Sequence, residues 1–447
     1  MHEMSLRREL YAAIFAIMRV HRFRAQGGLP EDSVFVEAVA LFYPLALLIF
    51  GLVLQGFDLQ SLLAGLGAIV SEPDILINDY VVRAGLGTPF VNAGLCSIAA
   101  FLVLKLSRVL VSGPALAAIF TIAGFSLFGK NIYNIWPVIV GVWLYARAEG
   151  KPFSEYVIIA LFGTAIAPLT SEVTFAFGIP APLNYLAGIA AGVAAGFVMP
   201  SLAKHLLQFH QGYSLYNIGL AAGFIGTVAM SLMRAFRLEA SDSGAWSEGN
   251  ASVYLPFVLF LLFSLIILGF LIGPSTRSGL RDIWHSSGRL VSDFPRSHGI
   301  GPTIVNMGLV GLIGAGYILL VGGDWNGPTM GALLTMCGFG AFGKHPRNIL
   351  PVMAGVWTMA TITAYSPSAE APLLAALFGT CLAPIAGRYG LVAGFLAGAL
   401  HLVVVVNVGF LHGGLNLYNN GFSGGLVAGI LVPLLEAISE RRRESGH

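Results

Sequence analysis

The sequence predicts an all-α polytopic membrane protein made of two inverted-topology repeats. Three observations predict this fold: the composition, a block of twenty residues that occurs twice, and the placement of basic residues in the loops. Of the 447 residues, 56% are hydrophobic and only 10% are charged, whereas about 25% of the residues of soluble domains are charged. The chain therefore lacks the polar residues that a water-exposed surface requires.

Helices rather than strands are predicted to cross the bilayer. Apolar runs of about 20 residues, the length that a spanning helix needs, recur from residue 37 to the C-terminal region. A transmembrane β-barrel would alternate apolar and polar residues, and the run FVLFLLFSLIILGFLI at 257–272 shows no alternation. The 56 glycines suit helices that pack closely. The lipid bilayer is therefore the first predicted partner.

The repeat is visible in a block that carries a lysine, an asparagine and a proline. Residues 124–143 read GFSLFGKNIYNIWPVIVGVW and residues 338–357 read GFGAFGKHPRNILPVMAGVW, with twelve identical positions. Further pairs, such as ALFGTAIAP with ALFGTCLAP, extend the match over most of the chain. We predict a cytoplasmic amphipathic N-terminal segment (1–36), repeat A (37–236), an external linker (237–250), repeat B (251–436) and a cytoplasmic tail (437–447).

The charges of equivalent loops indicate that the repeats have opposite orientations. The loop at 57–79 holds four acidic residues and no basic one, whereas its partner at 273–296 holds four arginines. Basic residues concentrate on cytoplasmic loops, so the first loop is predicted outside and the second inside. Inverted repeats of this kind are common in transporters. We predict a multi-pass protein of a bacterial-type inner membrane with both termini in the cytoplasm.

Two stretches in each repeat are short for spanning helices. In repeat A they cover 113–129 and 132–147, about 25 Å of helix against a hydrocarbon core of about 30 Å. Two short tilted spans would give 14 spans in all. One re-entrant hairpin per repeat, the favoured interpretation, would give 10 spans plus two hairpins. The predicted helix breaks are Gly129, Pro137, Gly343 and Pro351.

Lys130 and Lys344 follow Phe-Gly in the two copies of the repeated block. A charge in the middle of a bilayer costs at least about 2.5–3.5 kcal/mol and indicates a functional site. Hairpins that enter from opposite faces would bring the two lysines toward each other, where helix N-termini add donors for an anion. The alternative is that each lysine reaches the membrane interface from a helix end.

Asn134 and Asn348 each precede a proline by three residues. Proline leaves a carbonyl of the preceding turn without its helical donor, and a carboxamide nearby offers a donor and an acceptor to a solute. We therefore predict that both asparagines bind substrate. The alternative is that they hold neighbouring helices together.

A second repeated motif, Leu-Tyr-Asn-x-Gly, contains Tyr216, Asn217, Tyr418 and Asn419. Tyrosine at a membrane interface is usually an anchor. The adjoining asparagines and glycines instead favour a pore wall or a close helix contact. These four residues complete the predicted substrate-binding set.

Sequence motifs of enzymes are absent. The chain has no Walker A, HExxH or GxSxG motif, so we predict that it is no enzyme and has no catalytic residue. Its three cysteines form no CxxC pair, so we predict neither a metal site nor a cofactor. No feature indicates a nucleic-acid partner, and homo-oligomer formation stays open.

The repeated segments FGKNIYNIWPVIVGVW and FGKHPRNILPVMAGVW resemble a family of duplicated bacterial inner-membrane proteins that is known only as a domain of unknown function. More distantly, the inverted halves and the Tyr-Asn motifs are similar to urea channels. That resemblance implies a pore between two halves.

The sequence thus predicts a membrane transporter or channel for a small polar solute bound between the repeats. The small-molecule or ion substrate is expected to be anionic if the lysines contact it. The alternatives are a urea-like channel for a neutral solute, and a non-transporting membrane protein such as a lipid-modifying enzyme or an assembly partner.

Overall fold

The computed structural model describes residues 31–241, 244, 246–273 and 275–444, and this part of the chain contains helices and no strand. Repeat A contains α1 (Glu31–Leu54), α2 (Leu59–Val70), α3 (Tyr80–Ala84), α4 (Thr88–Leu106), α5 (Gly113–Phe125), α6 (Ile135–Ala148), α7 (Val157–Gly163), α8 (Pro168–Phe175), α9 (Leu183–Phe209) and α10 (Asn217–Ala235). Repeat B contains α11 (Ala251–Ile272), α12 (Thr276–His285), α13 (Phe294–His298), α14 (Ile300–Val321), α15 (Gly327–Gly338), α16 (Pro346–Ile362), α17 (Glu370–Phe378), α18 (Ala383–Tyr389), α19 (Leu391–His412) and α20 (Asn419–Glu444). The second ten helices follow the order of the first ten.

Five elements of each repeat are suited to crossing a membrane. Among the described residues, nine elements are long and apolar enough, and the α7–α8 pair, bent by 44° at a short break, is a tenth. The nine are α1, α4, α9, α10, α11, α14, the α17–α18 pair, α19 and α20. Because five crossings is an odd number, repeat B has the orientation opposite to repeat A. The predicted all-α polytopic fold with two repeats is confirmed.

Four of the shorter helices form the two hairpins. Helices α5, α6, α15 and α16 contain 13, 14, 12 and 17 residues, which gives lengths of about 18–26 Å. They are shorter than the hydrocarbon core of about 30 Å. The arrangement thus fits ten spans plus two hairpins better than fourteen spans.

The first helices of the two hairpins, α5 and α15, pack against each other between the repeats. Glycine allows this close approach: a Cβ atom on Gly331 would lie 2.5 Å from the carbonyl oxygen of Gly124, and one on Gly124 would collide with the carbonyl of Gly331. The second helices lie outside this pair, with α6 against α9 and α16 against α19. The small residues expected at helix contacts in membranes are therefore found at the centre of the fold.

Equivalent contacts between the repeats occur in pairs. The Asp79 carboxylate accepts a hydrogen bond from the backbone N–H of Gly327 at 3.2 Å, and the Asp293 carboxylate accepts one from Gly113 at 3.0 Å. Each aspartate thus holds the first residue of the other repeat's hairpin. Such reciprocity is the signature of a two-fold relationship between the two repeats.

The linker after α10 is fastened to loops of both repeats. Ser241 donates its backbone N–H and its hydroxyl to Glu172, and Ser247 makes the same two bonds to Asp79. The Trp246 indole N–H donates to Asp324 at 3.1 Å. Of these three carboxylates, Asp79 belongs to the loop that the charge pattern assigns to the external face. The linker thus contacts both repeats, and its external position stays a prediction.

The joint between the two repeats lies between two long helices. Helix α10 ends at Ala235 and α11 begins at Ala251, on either side of the predicted linker. The predicted amphipathic N-terminal segment falls, up to residue 30, outside the described residues. Within the predicted tail, α20 continues as helix to Glu444.

Candidate functional site

The tips of the two hairpins are held in the same way by an asparagine of a neighbouring helix. The Asn92 carboxamide, on α4, donates to the carbonyls of Ser126 and Lys130 at 2.7 and 2.8 Å. Asn306, on α14, donates to the carbonyls of Gly340 and Lys344 at the same distances. Buried carbonyls need such donors because water does not reach them. The backbone beneath each lysine is therefore fixed from outside the hairpin.

The carboxamides of Asn134 and Asn348 hydrogen-bond to backbone groups within the hairpin tips. Asn134 accepts a hydrogen bond from the N–H of Asn131 at 2.9 Å and donates to the carbonyl of Gly129 at 3.1 Å. Asn348 likewise donates to the carbonyl of Gly343 at 2.9 Å and accepts a hydrogen bond from the backbone N–H of His345. The oxygen and the nitrogen of each carboxamide are thus bonded to the tip itself. Their contact with a solute stays a prediction.

Lys344 is fully buried and bonded to two hydroxyl groups. Its ammonium donates to the Tyr216 hydroxyl at 2.8 Å and to the Thr380 hydroxyl at 2.7 Å. It also lies 4.7 Å from the ring centre of Tyr216 and 5.3 Å from that of Phe339, within the range of a cation–π interaction. All its partners are neutral groups.

Lys130 occupies the equivalent position in repeat A but lacks those bonds. Its ammonium lies 5.2 Å from the ring centre of Phe125 and 5.6 Å from that of Tyr418. No described residue accepts a hydrogen bond from it, and the hydroxyls of Tyr418, Thr121 and Ser126 are buried and also without a partner. Buried polar atoms are nearly always bonded, and the ammonium of Lys130 differs in this respect from that of Lys344.

Six rings join the two lysines into one central aromatic cluster, formed by Phe125, Phe162, Tyr216, Phe339, Phe378 and Tyr418. The rings of Tyr216 and Tyr418 meet at 5.5 Å, where the repeats face each other. Two further kinds of contact occur as equivalent pairs: Tyr216–Phe339 at 4.7 Å with Tyr418–Phe125 at 4.5 Å, and Phe162–Phe339 at 5.6 Å with Phe378–Phe125 at 5.3 Å. The cluster therefore shares the two-fold relationship of the fold, with one lysine on each side.

A cavity of about 450 Å³ leads to this cluster. Its inner end is lined by Tyr216, Phe339 and Tyr418, rings that also contact the lysines. Its outer part is lined by exposed charged side chains of the α6–α7 segment and α9, two of them basic (Lys151 and Lys204) and two acidic (Glu149 and Glu155). The volume is typical of a site for a small molecule. A solute that entered would reach the aromatic layer in front of Lys344.

Neither lysine of the site is paired with a carboxylate of the described residues. The described residues form three ion-pair contacts, among Arg83, Glu72, Asp74, Lys105 and Glu37, and none includes Lys130 or Lys344. Nor do the described residues contain a group of histidine, cysteine and acidic side chains able to hold a metal ion. Two buried ammonium groups among hydroxyls and rings, without a carboxylate, are suited to an anion.

The structure places Asn217 and Asn419 between helices, and Asn217 also lines the cavity. Asn217 bonds to His210 at 3.0 Å and donates to the carbonyl of Ala203 at 3.0 Å. Asn419 makes the equivalent bonds, to His412 and to a carbonyl of α19. Each asparagine joins two successive helices of its repeat, while the tyrosine before it faces the cluster.

The four predicted helix-break residues fall at different points of the hairpins. Gly129 and Gly343 lie in the tips, between the two helices of each hairpin. Pro137 stands in the first turn of α6, where a missing N–H leaves no helical bond unmade. Pro351 lies inside α16. The helical structure is thus interrupted at Gly129 and Gly343, whereas Pro137 and Pro351 lie within helices.

A family model described as a protein of unknown function (DUF1576) matches residues 59–235 and 274–437. The chain belongs to the DUF1576 family. Each matched stretch covers one repeat without its first helix, which confirms the predicted membership of a duplicated family of unknown function. No curated protein and no solved structure matches this DUF1576 chain. The resemblance to urea channels therefore stays a prediction.

Sequence reasoning did not identify several residues that surround the lysines in this DUF1576 protein. Phe125 and Phe339 belong to the repeated block and are identical in both copies. Thr380 has the same residue, Thr164, at its equivalent position in the ALFGT segments. Identity between the two repeats is thus the sequence signal that distinguishes these aromatic and hydroxyl residues.

Proposed function

We propose that this protein is a transporter or channel that moves a small anion between its two repeats, past Lys130 and Lys344. The observation that carries the proposal is the pair of buried ammonium groups at one aromatic cluster, neither of which contacts a carboxylate. A cavity leads to that cluster. The solute would be held by ammonium groups and hydroxyls.

The energetic argument begins with the cost of the charges. An unpaired buried charge destabilises a protein by several kcal/mol, and a lysine in a membrane interior is retained where it has a function. An anion beside the unpartnered ammonium of Lys130 would restore its missing interactions. Lys344, already bonded to Tyr216 and Thr380, would contribute when the tyrosine hydroxyl moves. The two sites would then bind the anion in turn.

The orientation of the proposed path follows from the charges of its mouth. Lys151 and Lys204 lie at the outer part of the cavity, and basic residues concentrate on the cytoplasmic side. The cavity would therefore open to the cytoplasm in this conformation. With ten crossings both termini would be cytoplasmic, in a bacterial-type inner membrane.

The proposal can be tested with purified protein in proteoliposomes. Chloride, nitrate, acetate and phosphate would serve as anions, and urea and glycerol as neutral solutes. We expect flux of at least one anion, and a loss of about tenfold or more when Lys130 and Lys344 are both replaced by methionine. The control is Lys105→Arg, which keeps the ion pair that the lysine of α4 makes with Glu37 at 2.7 Å and should keep wild-type flux.

The other outcomes discriminate the alternatives. Flux of urea or glycerol that survives the double substitution, without anion flux, would support a channel for neutral solutes. Absence of flux for every solute in the wild-type protein would refute transport and favour a non-transporting membrane protein.

A further inference from the structure

A buried carboxylate lies next to the repeat A hairpin. Asp74, in the loop between α2 and α3, has no exposed surface. Its oxygens accept hydrogen bonds from the hydroxyls of Tyr80 and Ser171 at 2.8 and 3.0 Å. They also accept from the carboxamides of Asn131 and Asn134 at 2.7 and 3.2 Å. Four donors from three different parts of repeat A thus converge on one carboxylate.

A chain of charged groups connects Asp74 with the surface. An Arg83 nitrogen lies 3.5 Å from Asp74, and another lies 3.1 Å from Glu72. The side chains of Glu72, Arg83 and Asp74 are 50%, 17% and 0% exposed. The chain therefore runs from water to the interior, starting at the loop that the charge pattern assigns to the external face.

The donors on the other side of Asp74 belong to the hairpin tip that carries Lys130. Asn134 bonds both to Asp74 and to the carbonyl of Gly129, directly before the lysine. Asn131 directly follows the lysine and bonds to the same carboxylate oxygen. Hydrogen bonds to a charged acceptor are roughly twice as strong as those to a neutral one. The charge of Asp74 therefore affects how firmly the tip is held.

Repeat B has no counterpart to this carboxylate. With the offset of 214 residues, Gly288 stands where Asp74 does, and His345 replaces Asn131. A Cβ atom on Gly288 would collide with the carbonyl of Gly343, so the position has no room for a side chain. The carboxylate is thus an addition to one repeat and is not required by the hairpin fold.

We propose that Asp74 binds a proton that enters past Glu72 and Arg83, and that this proton loosens the Lys130 tip and couples proton movement to anion movement. The coupling rests on the anion transport proposed above, whereas the proton site itself does not. In the binding step the carboxylate takes up one proton and becomes a neutral acid, with no other bond formed or broken. Its hydrogen bonds from Asn131, Asn134 and Ser171 then weaken.

The groups around Asp74 give its carboxyl a pKa within the pH range that can be tested in solution. Burial raises the pKa of Asp74 to about 7, while the Arg83 guanidinium and the hydrogen bonds from Tyr80 and Ser171 act to lower that pKa. Among the described residues that act on this carboxyl, Glu72 is the one further charged group, and the hairpin side chains bonded to it, Asn131 and Asn134, are neutral amides. Asp74 is therefore protonated below about pH 7 and ionised above it.

Infrared spectroscopy tests the proton site directly. In the wild-type protein, the carbonyl stretch of a protonated carboxyl should disappear as the pH rises from about 6 to about 8. Asp74→Asn should lack this change. Glu172→Gln is the matched control, because Glu172 is buried next to Ser171 but bonds to the linker at Ser241, and it should keep the change. Wild-type protein without such a titration would refute the site, even if Asp74→Asn fails to fold.

Hydrogen exchange tests the effect on the tip. At about pH 8, amides of residues 126–134 should exchange faster in Asp74→Asn than in the wild type, because the variant lacks the carboxylate charge that strengthens the hydrogen bonds to the tip. At about pH 6 the two proteins should exchange alike. Equal exchange at both pH values would refute the link between the proton and the tip.

Flux with an inward proton gradient tests the coupling. We expect the gradient to increase nitrate uptake severalfold in the wild type. In Asp74→Asn, nitrate uptake with the gradient should equal uptake without it. A gradient effect retained in Asp74→Asn would refute the coupling. Absence of all anion flux would instead refute the proposed function, while the infrared and exchange results would still decide the proton site.

Discussion

Lys344 of repeat B donates a hydrogen bond of 2.8 Å to the hydroxyl of Tyr216 in repeat A. The equivalent pair, Lys130 and Tyr418, places the ammonium 5.6 Å from the ring centre, and neither the ammonium nor the tyrosine hydroxyl has a partner among the described residues. Two sites related by the two-fold of the fold thus have different bonding. A carrier that alternates between two states needs such a difference between its halves at any one moment.

The first prediction concerns the two tyrosines. Tyr216→Phe removes an acceptor from the buried ammonium of Lys344 and should lower the free energy of unfolding by about 1–3 kcal/mol. Tyr418→Phe removes a hydroxyl without a hydrogen-bond partner. It should change the free energy of unfolding by less than about 0.5 kcal/mol. Unfolding in detergent, followed by fluorescence, measures both. Equal losses would show that the two sites are bonded alike.

The second prediction concerns the asparagines that hold the tips. Asn92→Leu leaves the carbonyls of Ser126 and Lys130 without their donor and should cost about 1–3 kcal/mol for each unsatisfied group. Faster hydrogen exchange in residues 126–134 should accompany the loss. Asn407→Leu is the control, because Asn407 is exposed and bonds within its own helix. A similar effect of both substitutions would contradict the assigned role of Asn92.

The third prediction concerns the crossing of α5 and α15. Gly124→Ala and Gly331→Ala place a methyl group against the backbone of the opposing helix, so both should lower the melting temperature of the protein. Gly316→Ala is the control, since a Cβ atom there has nothing within 4 Å and alanine favours the helix. If the three substitutions had equal effects, the close contact of α5 with α15 would be absent.

The fourth prediction is a pH dependence of stability. The unfolded Asp74 carboxyl has a pKa of about 3.9, whereas burial raises the pKa in the folded protein to about 7. Between these values the folded state binds more protons than the unfolded state, so stability should fall as the pH rises from about 4 to about 7. Asp74→Asn should have a flatter profile than the wild type in thermal unfolding. Parallel profiles would contradict a titrating Asp74.

The fold was largely predictable because its signals extend over the whole sequence. Apolar runs, the block around Lys130 and Lys344, and the charges of equivalent loops each contribute independent evidence. The tip residues Gly129, Lys130, Gly343 and Lys344 were predicted for the same reason, because the Gly-Lys pair is identical in both copies. Repetition compensates for the weakness of each local pattern.

Asp74 was not predictable as a buried site. In the sequence it is one of four acidic residues in an external loop, and only tertiary structure brings it to Ser171, 97 residues away. The bonds of Asn134 and Asn348 within their own tips were equally hidden, because a carboxamide one turn before a proline can bond to backbone or to solute. Long-range packing of loops, which no periodicity encodes, decides both cases.

The most direct test of the anion site is a crystal structure of the protein grown with bromide, located by its anomalous scattering. We expect a bromide ion beside the ammonium of Lys130, within reach of the Tyr418 hydroxyl, and its disappearance in Lys130→Met crystals. Bromide that is found only at the protein surface, with the ammonium of Lys130 bonded to protein groups, would contradict the central claim.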